Sequence, residues 1–245
     1  MDKIVATIEA RMTSKRLPGK PLLKAAKKTM IEHLINRLKK VDSINEIILA
    51  TTKNKTDDIL VETVENFGVR VFRGDENDVM QRVISAAESS KAEIITQITG
   101  DCPIIDPQIV EQTIRMFLNH DVDYVSNTIV RSYPDGMDTQ VYRLKTLKKS
   151  ASMTNSLFDR EHVSSHIKNN PKIFSQIHLV APPEINWPSL GITLDEKGDY
   201  ELIKIIIENL YEKNPFFSCL NVIEFLKQNL KYLDLNKNVL RKGNI

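Results

Sequence analysis

Two hydrophobic rhythms alternate along the first half of the chain. Ile4 to Ile8 is a short apolar run of the kind a strand shows when both its faces are buried. Met30, Ile31, Leu34, Ile35, Leu38 and Val41 then recur at helical spacing. Glu46 to Thr51 predicts a second buried strand, and a helix on Ile59, Leu60, Val64 and Phe67 follows until Gly68 stops it. Val69 to Phe72 predicts a third strand. Val79, Met80, Val83, Ile84 and Ala87 form the stripe of another helix, and Glu93 to Ile98 a fourth strand. Asp106-Pro107 carries the cap-then-proline signature of a helix start ahead of Ile109, Val110, Ile114 and Phe117. Strands alternating with crossover helices predict an α/β fold with a doubly wound, mostly parallel sheet.

From about Asp123 the rhythm breaks. Short strand-like pieces (Asp123 to Val125, Gln140 to Tyr142, Phe174 to Val180, Gly191 to Leu194) mix with a helix expected from about Arg160. Two more helices are predicted, one on Leu202, Ile203, Ile206, Ile207 and Leu210, the other on Val222, Ile223, Leu226 and Leu230. No internal repeat is visible, and the polar tail from Asn236 to Ile245 is expected to fray. The organisation expected is a single domain over residues 1–245 with a smaller inserted lobe at about 123–190, placed to cover a site or to build a dimer contact.

Chemistry enters at the end of the first strand. The loop IEARMTSKRLPGKPL places Arg11, Lys15, Arg16 and Lys20 among Pro18, Gly19 and Pro21. Four cations crowded on a constrained loop repel one another, so an anion is the natural guest, and a phosphate cradle at the carboxyl edge of a parallel sheet is predicted. Bulk charge adds nothing to this: 34 basic against 32 acidic residues leave a net +2, which suggests neither a nucleic-acid nor a membrane-surface partner. The two cysteines, Cys102 and Cys219, make no disulfide framework and point to a reducing, cytoplasmic setting. No signal-peptide pattern precedes the first strand and no apolar run approaches a membrane span.

Two carboxylates accompany the loop. Asp101, in ITGDCPIIDP, follows the fourth strand on the same sheet edge, where it can ligate Mg²⁺ or bond nearby amides as a turn aspartate. Asp195, in ITLDEKGDYELI, ends a short strand before a helix; it can complete a metal site with Asp101 or simply cap the helix. Asp106 reads as a cap and Asp199 as a first-turn carboxylate that suits the helix dipole. His162 and His166 have the i, i+4 spacing of a two-histidine metal site, but no Glu follows His162, and a structural or acceptor-binding role fits better. Cys102 and Cys219 read as packing, Trp187 as an anchor of the lobe, and His33 and His120 as solvated helix-surface residues.

These pieces resemble, in order and over nearly the whole chain, the cytidylyltransferases that make CMP-activated acidic sugars: the CMP-Kdo and CMP-sialic acid synthetases. The resemblance is greatest to the branch typified by the spore coat polysaccharide biosynthesis protein SpsF. The matching motifs are the loop just quoted, Ala50-Thr51, Phe72-Arg73-Gly74 with Asp78 to Arg82, Thr99 to Pro107, Tyr133 to Asp138, Arg160 to Val163 and Thr193 to Ile203. The resemblance implies a Rossmann-like sheet of the nucleotide-diphospho-sugar transferase type. It implies transfer of CMP from CTP to an acidic sugar acceptor with release of pyrophosphate, for surface polysaccharide or glycoconjugate synthesis. By the same resemblance Ala10, Arg11, Ser14, Arg16, Lys20, Asp78 and Arg82 belong to the nucleotide, with Arg11 and Lys20 catalytic and Lys20 nearest the α-phosphate. Asp101 and Asp195 would bind Mg²⁺, and Tyr133, Asp135, Asp138, Arg160 and His162 would face the acceptor. A homodimer is implied as well.

Two departures stand out. Glu9 occupies a position where the branch usually has Gln and the Kdo enzymes Pro, and Lys24 to Lys28 replaces a glycine-bearing turn in a surface hairpin. Other functions compatible with the residues are nucleotidyl transfer to a sugar phosphate or phosphonate and a nucleotide-sugar-dependent glycosyltransferase. A non-catalytic nucleotide sensor is a further one, disfavoured by the joint presence of Lys20, Asp101 and Asp195.

Overall fold

The structure is a computed structural model that describes residues 2–240. Of the tail expected to fray, residues 241–245 lie outside the described residues. In chain order, β1 (Ile4–Glu9) leads through a hairpin, β2 (Lys24–Ala25) and β3 (Lys28–Thr29), into α1 (Met30–Leu38). Then come β4 (Glu46–Thr52), α2 (Asp58–Glu65), β5 (Arg70–Gly74), α3 (Val79–Ser89), β6 (Ile94–Thr99) and α4 (Pro107–Leu118). The next stretch holds β7 (Tyr124–Ser126), β8 (Gln140–Arg143), α5 (Leu144–Met153), α6 (Leu157–Glu161), α7 (Ser165–Asn169) and β9 (Gln176–His178). Helices α8 (Lys197–Leu210) and α9 (Cys219–Gln228) follow.

The central sheet has seven strands in the order β5-β4-β1-β6-β8-β7-β9. Strands β5, β4, β1 and β6 are parallel neighbours, β8 runs antiparallel to β6 and β7, and β9 is parallel to β7. Alternation along β1 sends Ile4, Ala6 and Ile8 into one core, shared with α1, α4, α8 and α9, and Val5 into a second, shared with α3 and α5. Helices thus cover both faces, and the apolar runs read from the first half are the consequence. The 123–190 segment is woven into the same sheet, to which it supplies β7, β8 and β9.

Several local expectations change. The segment from Gly191 to Leu194 forms no strand; only an isolated bridge pairs Asp135 with Gly191, and Leu194 N–H instead donates to Asp101 O at 2.8 Å. Helix α6 starts at Leu157 and ends at Glu161, ahead of a separate α7, and α5 was not expected at all. His33 is buried rather than solvated, with Nε2 3.0 Å from the Ala25 carbonyl and its ring edge-on to Tyr211 at 5.3 Å. Asp106 does cap α4, accepting Gln108 N–H at 2.9 Å, and its other oxygen takes Cys219 N–H at 2.7 Å.

Candidate active site

Because β1 and β6 are adjacent and parallel, the loops leaving their carboxyl ends emerge side by side. The contact between them is close enough to require a glycine. A Cβ on Gly100 would lie 2.6 Å from Ala10 Cβ and 2.8 Å from Glu9 O, and Gly100 N–H donates to that same carbonyl at 2.9 Å. Asp101 is thereby held at the root of the cationic loop. The loop closes on itself where Gly19, at φ +73°, donates to Met12 O at 2.9 Å. Its other anchor is Asp57, a buried carboxylate beyond β4 that accepts Met12 N–H at 2.7 Å, Thr51 Oγ1 at 3.0 Å and Thr52 N–H at 3.2 Å.

Three cations of this loop meet acids across the cleft. Lys20 Nζ donates to Leu194 O at 2.7 Å, Asp195 Oδ1 at 3.1 Å and Asp101 Oδ2 at 3.4 Å. Arg16 lies 2.8 Å from the other oxygen of Asp195 and 3.9 Å from Glu196. Arg11 pairs with Glu76 at 3.1 Å, and Glu76 also takes Thr13 Oγ1 at 3.0 Å and Asn54 Nδ2 at 2.6 Å. Burial works against charge on both Lys20 and Asp101, yet their mutual field prevails. With Asp195 beside it the lysine pKa is raised, and with Lys20 and the Thr99 hydroxyl beside it the Asp101 carboxyl is held low.

Asp195 does not cap α8. That duty falls to Glu196, in a reciprocal capping box with Asp199, whose Oδ2 accepts both Glu196 N–H at 3.0 Å and Asp195 N–H at 3.2 Å. The Asp195 side chain is therefore left to face Lys20 and Arg16. Asp101, Asp195 and the Leu194 carbonyl converge on the single point that Nζ occupies, and an all-oxygen set of this kind suits a hard cation such as Mg²⁺. Among the described residues there is no group of three His, Cys, Asp or Glu side chains able to hold a metal. His162 ends α6 and His166 sits in α7, with Nδ1 3.0 Å from Ser150 Oγ. Burial pushes the Cys102 thiol well up, which suits packing rather than a nucleophile.

The other sequence-derived residues take varied positions. Ala10 is buried against Gly100, and Ser14 is half-buried on the loop. Asp78 caps α3 through Gln81 N–H at 2.9 Å and lies 3.5 Å from Arg160. Arg82 is buried and holds the preceding turn through Asp75 O at 2.6 Å. Arg160 also donates to the carbonyls of Ala151 and Thr154 at 2.7 and 3.0 Å. Asp135 N–H bonds Leu190 O at 2.9 Å, Asp138 pairs with Arg131 at 2.7 Å, and His162 is exposed against the Phe158 ring. Burial raises the Asp138 pKa despite Arg131.

Tyr133 departs from its expected role. It is completely buried in the apolar core and its hydroxyl has no hydrogen-bond partner, so it packs instead of facing an acceptor. Sequence reasoning also missed Asp57, Glu76 and Arg131, which reach the site from separate loops and carry no spacing signal. Glu9 was noticed only as a departure. Its carboxyl is buried on the α3 side of the sheet and pushed up to about 8, chiefly by burial. Gln97 Nε2 donates to it at 3.2 Å while Gln97 Oε1 accepts Tyr142 Oη–H at 2.8 Å, and Glu9 Oε1 has no partner.

A cationic loop at the carboxyl edge of a doubly wound sheet, with two carboxylates converging on it, suits a nucleotidyltransferase. Comparison with known proteins narrows this. The cytidylyltransferase family model matches residues 5–229, and the chain belongs to that family. It is a CTP-dependent nucleotidyltransferase. The chain is 32% identical over 235 residues to the spore coat polysaccharide biosynthesis protein SpsF of Bacillus subtilis (strain 168), covering 94% of this chain and 96% of that one. A solved cytidylyltransferase of Leptospira borgpetersenii serovar Hardjo-bovis (strain JB197) is 30% identical with a TM-score of 0.91, covering 98% of this chain and all 100% of its own. A CMP:2-keto-3-deoxy-manno-octonic acid synthetase complexed with CTP shares the fold, at 20% identity and a TM-score of 0.65 over 85% of this chain and 99% of its own.

Proposed function

We propose that this cytidylyltransferase transfers CMP from CTP to an acidic sugar of the sialic-acid or Kdo type, releasing pyrophosphate, for surface polysaccharide or glycoconjugate synthesis. The observation that carries the reading is the seating of Lys20 on Asp101 and Asp195 at the mouth of the anion loop. It is supported by relatives whose names specify a 3-deoxy-manno-octulosonate cytidylyltransferase, among them that of Solibacter usitatus (strain Ellin6076), and by the SpsF likeness.

The acceptor hydroxyl oxygen attacks the α-phosphorus of CTP as its proton passes to water, the bond from that phosphorus to the bridging oxygen breaks, and pyrophosphate departs. Such a reaction needs positioning and charge neutralisation more than covalent help from the protein. Arg11, Arg16 and Lys20 hold the triphosphate oxygens, Lys20 offsets charge growing on the α-phosphate, and Ala10 and Ser14 line the cradle. Asp101 and Asp195 would hold Mg²⁺, a Lewis acid that would supply positive charge beside the α-phosphate and the attacking hydroxyl. Asp78 and Arg82 lie toward the nucleoside. Asp135, Asp138, Arg160 and His162 orient the sugar. The reading includes a cytoplasmic location, consistent with the two free cysteines, and a homodimer through the 123–190 segment, where Leu157 and Phe158 are exposed.

The test is a pyrophosphate-release screen with Mg²⁺ present, pairing each of the four ribonucleoside triphosphates with 2-keto-3-deoxy acids, sugar phosphates and phosphonates. CTP with a 2-keto-3-deoxy acid is expected to give the fastest release. Turnover confined to sugar phosphates or phosphonates would overturn the acceptor assignment.

A further inference from the structure

The lysine assigned to the phosphates and the carboxylates assigned to the cation are bound to each other. Lys20 Nζ fills the point on which Asp101 and Asp195 converge, and its side chain is only 14% exposed. Arg16 holds the remaining oxygen of Asp195, and Arg11 is closed onto Glu76. Three of the loop's four cations are thus each paired with an acid from across the cleft.

We propose that Lys20 is an exchangeable counter-ion, which holds the Asp101–Asp195 pair until a polyphosphate draws it away, so that divalent cation and nucleotide enter the site only together. The inference rests on the assignment of the two aspartates as cation ligands. A divalent cation arriving alone must evict a partly buried ammonium that donates to three oxygens, and that ammonium is then left without a partner. A triphosphate arriving alone draws Lys20 and Arg16 off the carboxylates, and so sets two uncompensated acids against its own negative charge.

Arriving together, the two ligands satisfy every group. Lys20 and Arg16 pass to phosphate oxygens in charge-assisted hydrogen bonds. Asp101 and Asp195 pass to the cation, and the phosphates add the oxygens that two carboxylates cannot supply. Because the coupling is thermodynamic it is reciprocal: each ligand tightens the other by the same factor.

The experiment is a Mn²⁺ titration of the full chain, with free Mn²⁺ followed by its electron paramagnetic resonance signal, on the unaltered protein and on Lys20→Met, Lys20→Arg and Arg16→Met. Without nucleotide, Lys20→Met is expected to bind Mn²⁺ at least tenfold more tightly than the unaltered chain, with Arg16→Met between them and Lys20→Arg unchanged. Adding Asp101→Asn to Lys20→Met should abolish the gain. Thermal melts check that the variants fold, and Arg16→Met carries the comparison if Lys20→Met does not. Equal Mn²⁺ affinity in the unaltered chain and both Met variants overturns the exchange and leaves the cation site standing. No bound Mn²⁺ in any of them, with or without CTP, overturns the exchange together with the cation assignment.

Discussion

The two sides of the cleft are built by opposite means. On the side proposed for the nucleotide, four parallel strands deliver their loops to one edge, and backbone geometry does most of the positioning: Gly100 against Ala10, Gly19 folded onto Met12, Asp57 gripping the Met12 amide. On the side proposed for the acceptor, three-residue and four-residue strands and five-residue helices carry or border Asp138, Arg160 and His162, and side-chain pairs such as Asp138–Arg131 do the holding. A site fixed by main-chain contacts tolerates little variation. One fixed by pairs of side chains can be retuned by exchanging them.

That contrast can be broken most forcefully at the cation pair. Asp101→Asn and Lys20→Met are each expected to slow turnover at least about a hundredfold, the scale of losing an electrostatic stabiliser, as measured by pyrophosphate release. Near-normal rates in either purified variant would remove the nucleotide side from the chemistry.

The next largest effect lies at the seam between the sides, where Glu9 is linked through Gln97 to Tyr142 of β8. Its folded pKa of about 8 stands above an ordinary 4.5, so between those values the folded chain keeps a proton that the unfolded chain releases. Stability therefore falls as pH rises through that window. Glu9→Gln keeps an oxygen for Gln97 to donate to and removes the ionisation. It should raise stability near pH 8 by about 2–4 kcal/mol, and by little at pH 4. Urea melts at the two pH values decide the matter, and equal gains at both would show that Glu9 does not titrate in this way.

On the acceptor side a smaller and more selective effect is expected. Asp138→Asn should raise the acceptor KM about tenfold and leave the CTP KM within about twofold, the signature of lost uniform binding. Equal changes in both would erase the division between the sides. The smallest effect belongs to the β2–β3 turn, where Ala26 and Lys27 both adopt positive φ, 45° and 66°. Asn-Gly is the pair such a turn favours, and installing it should add about 1 kcal/mol in thermal melts with kinetics unchanged.

The same contrast governs how much could be read beforehand. Parallel strands covered on both faces leave continuous apolar runs, so β1, β4, β5 and β6 were visible, and with them the edge where Arg11, Arg16, Lys20 and Asp101 gather. Helix α5 was missed because its sequence, LKTLKKSASM, buries Leu147 but otherwise only Thr146 and Ser150, too little for an apolar stripe. Gly191 to Leu194 looked like a strand because it is apolar, yet its amides serve Asp135 and Asp101 across the cleft. Tyr133 lies in a motif that matches the family, and a motif does not say which of its side chains point into the core. Glu76 and Asp57 act at distances of 65 and 45 residues along the chain, a relation that no local pattern records.

The five residues from Gly191 to Asp195 tie the two halves together. Ile192 N–H donates to Asp135 O at 2.7 Å and Leu194 N–H to Asp101 O at 2.8 Å, while the Ile192 carbonyl would lie 2.8 Å from a Cβ on Gly136. This short tether stitches the Asp135 loop to the Asp101 turn before it ends in Asp195. Any drift in the retunable half is thus passed, within a few backbone units, to a carboxylate the rigid half depends on. A lineage that exchanged its acceptor residues would have to do so without pulling on that thread.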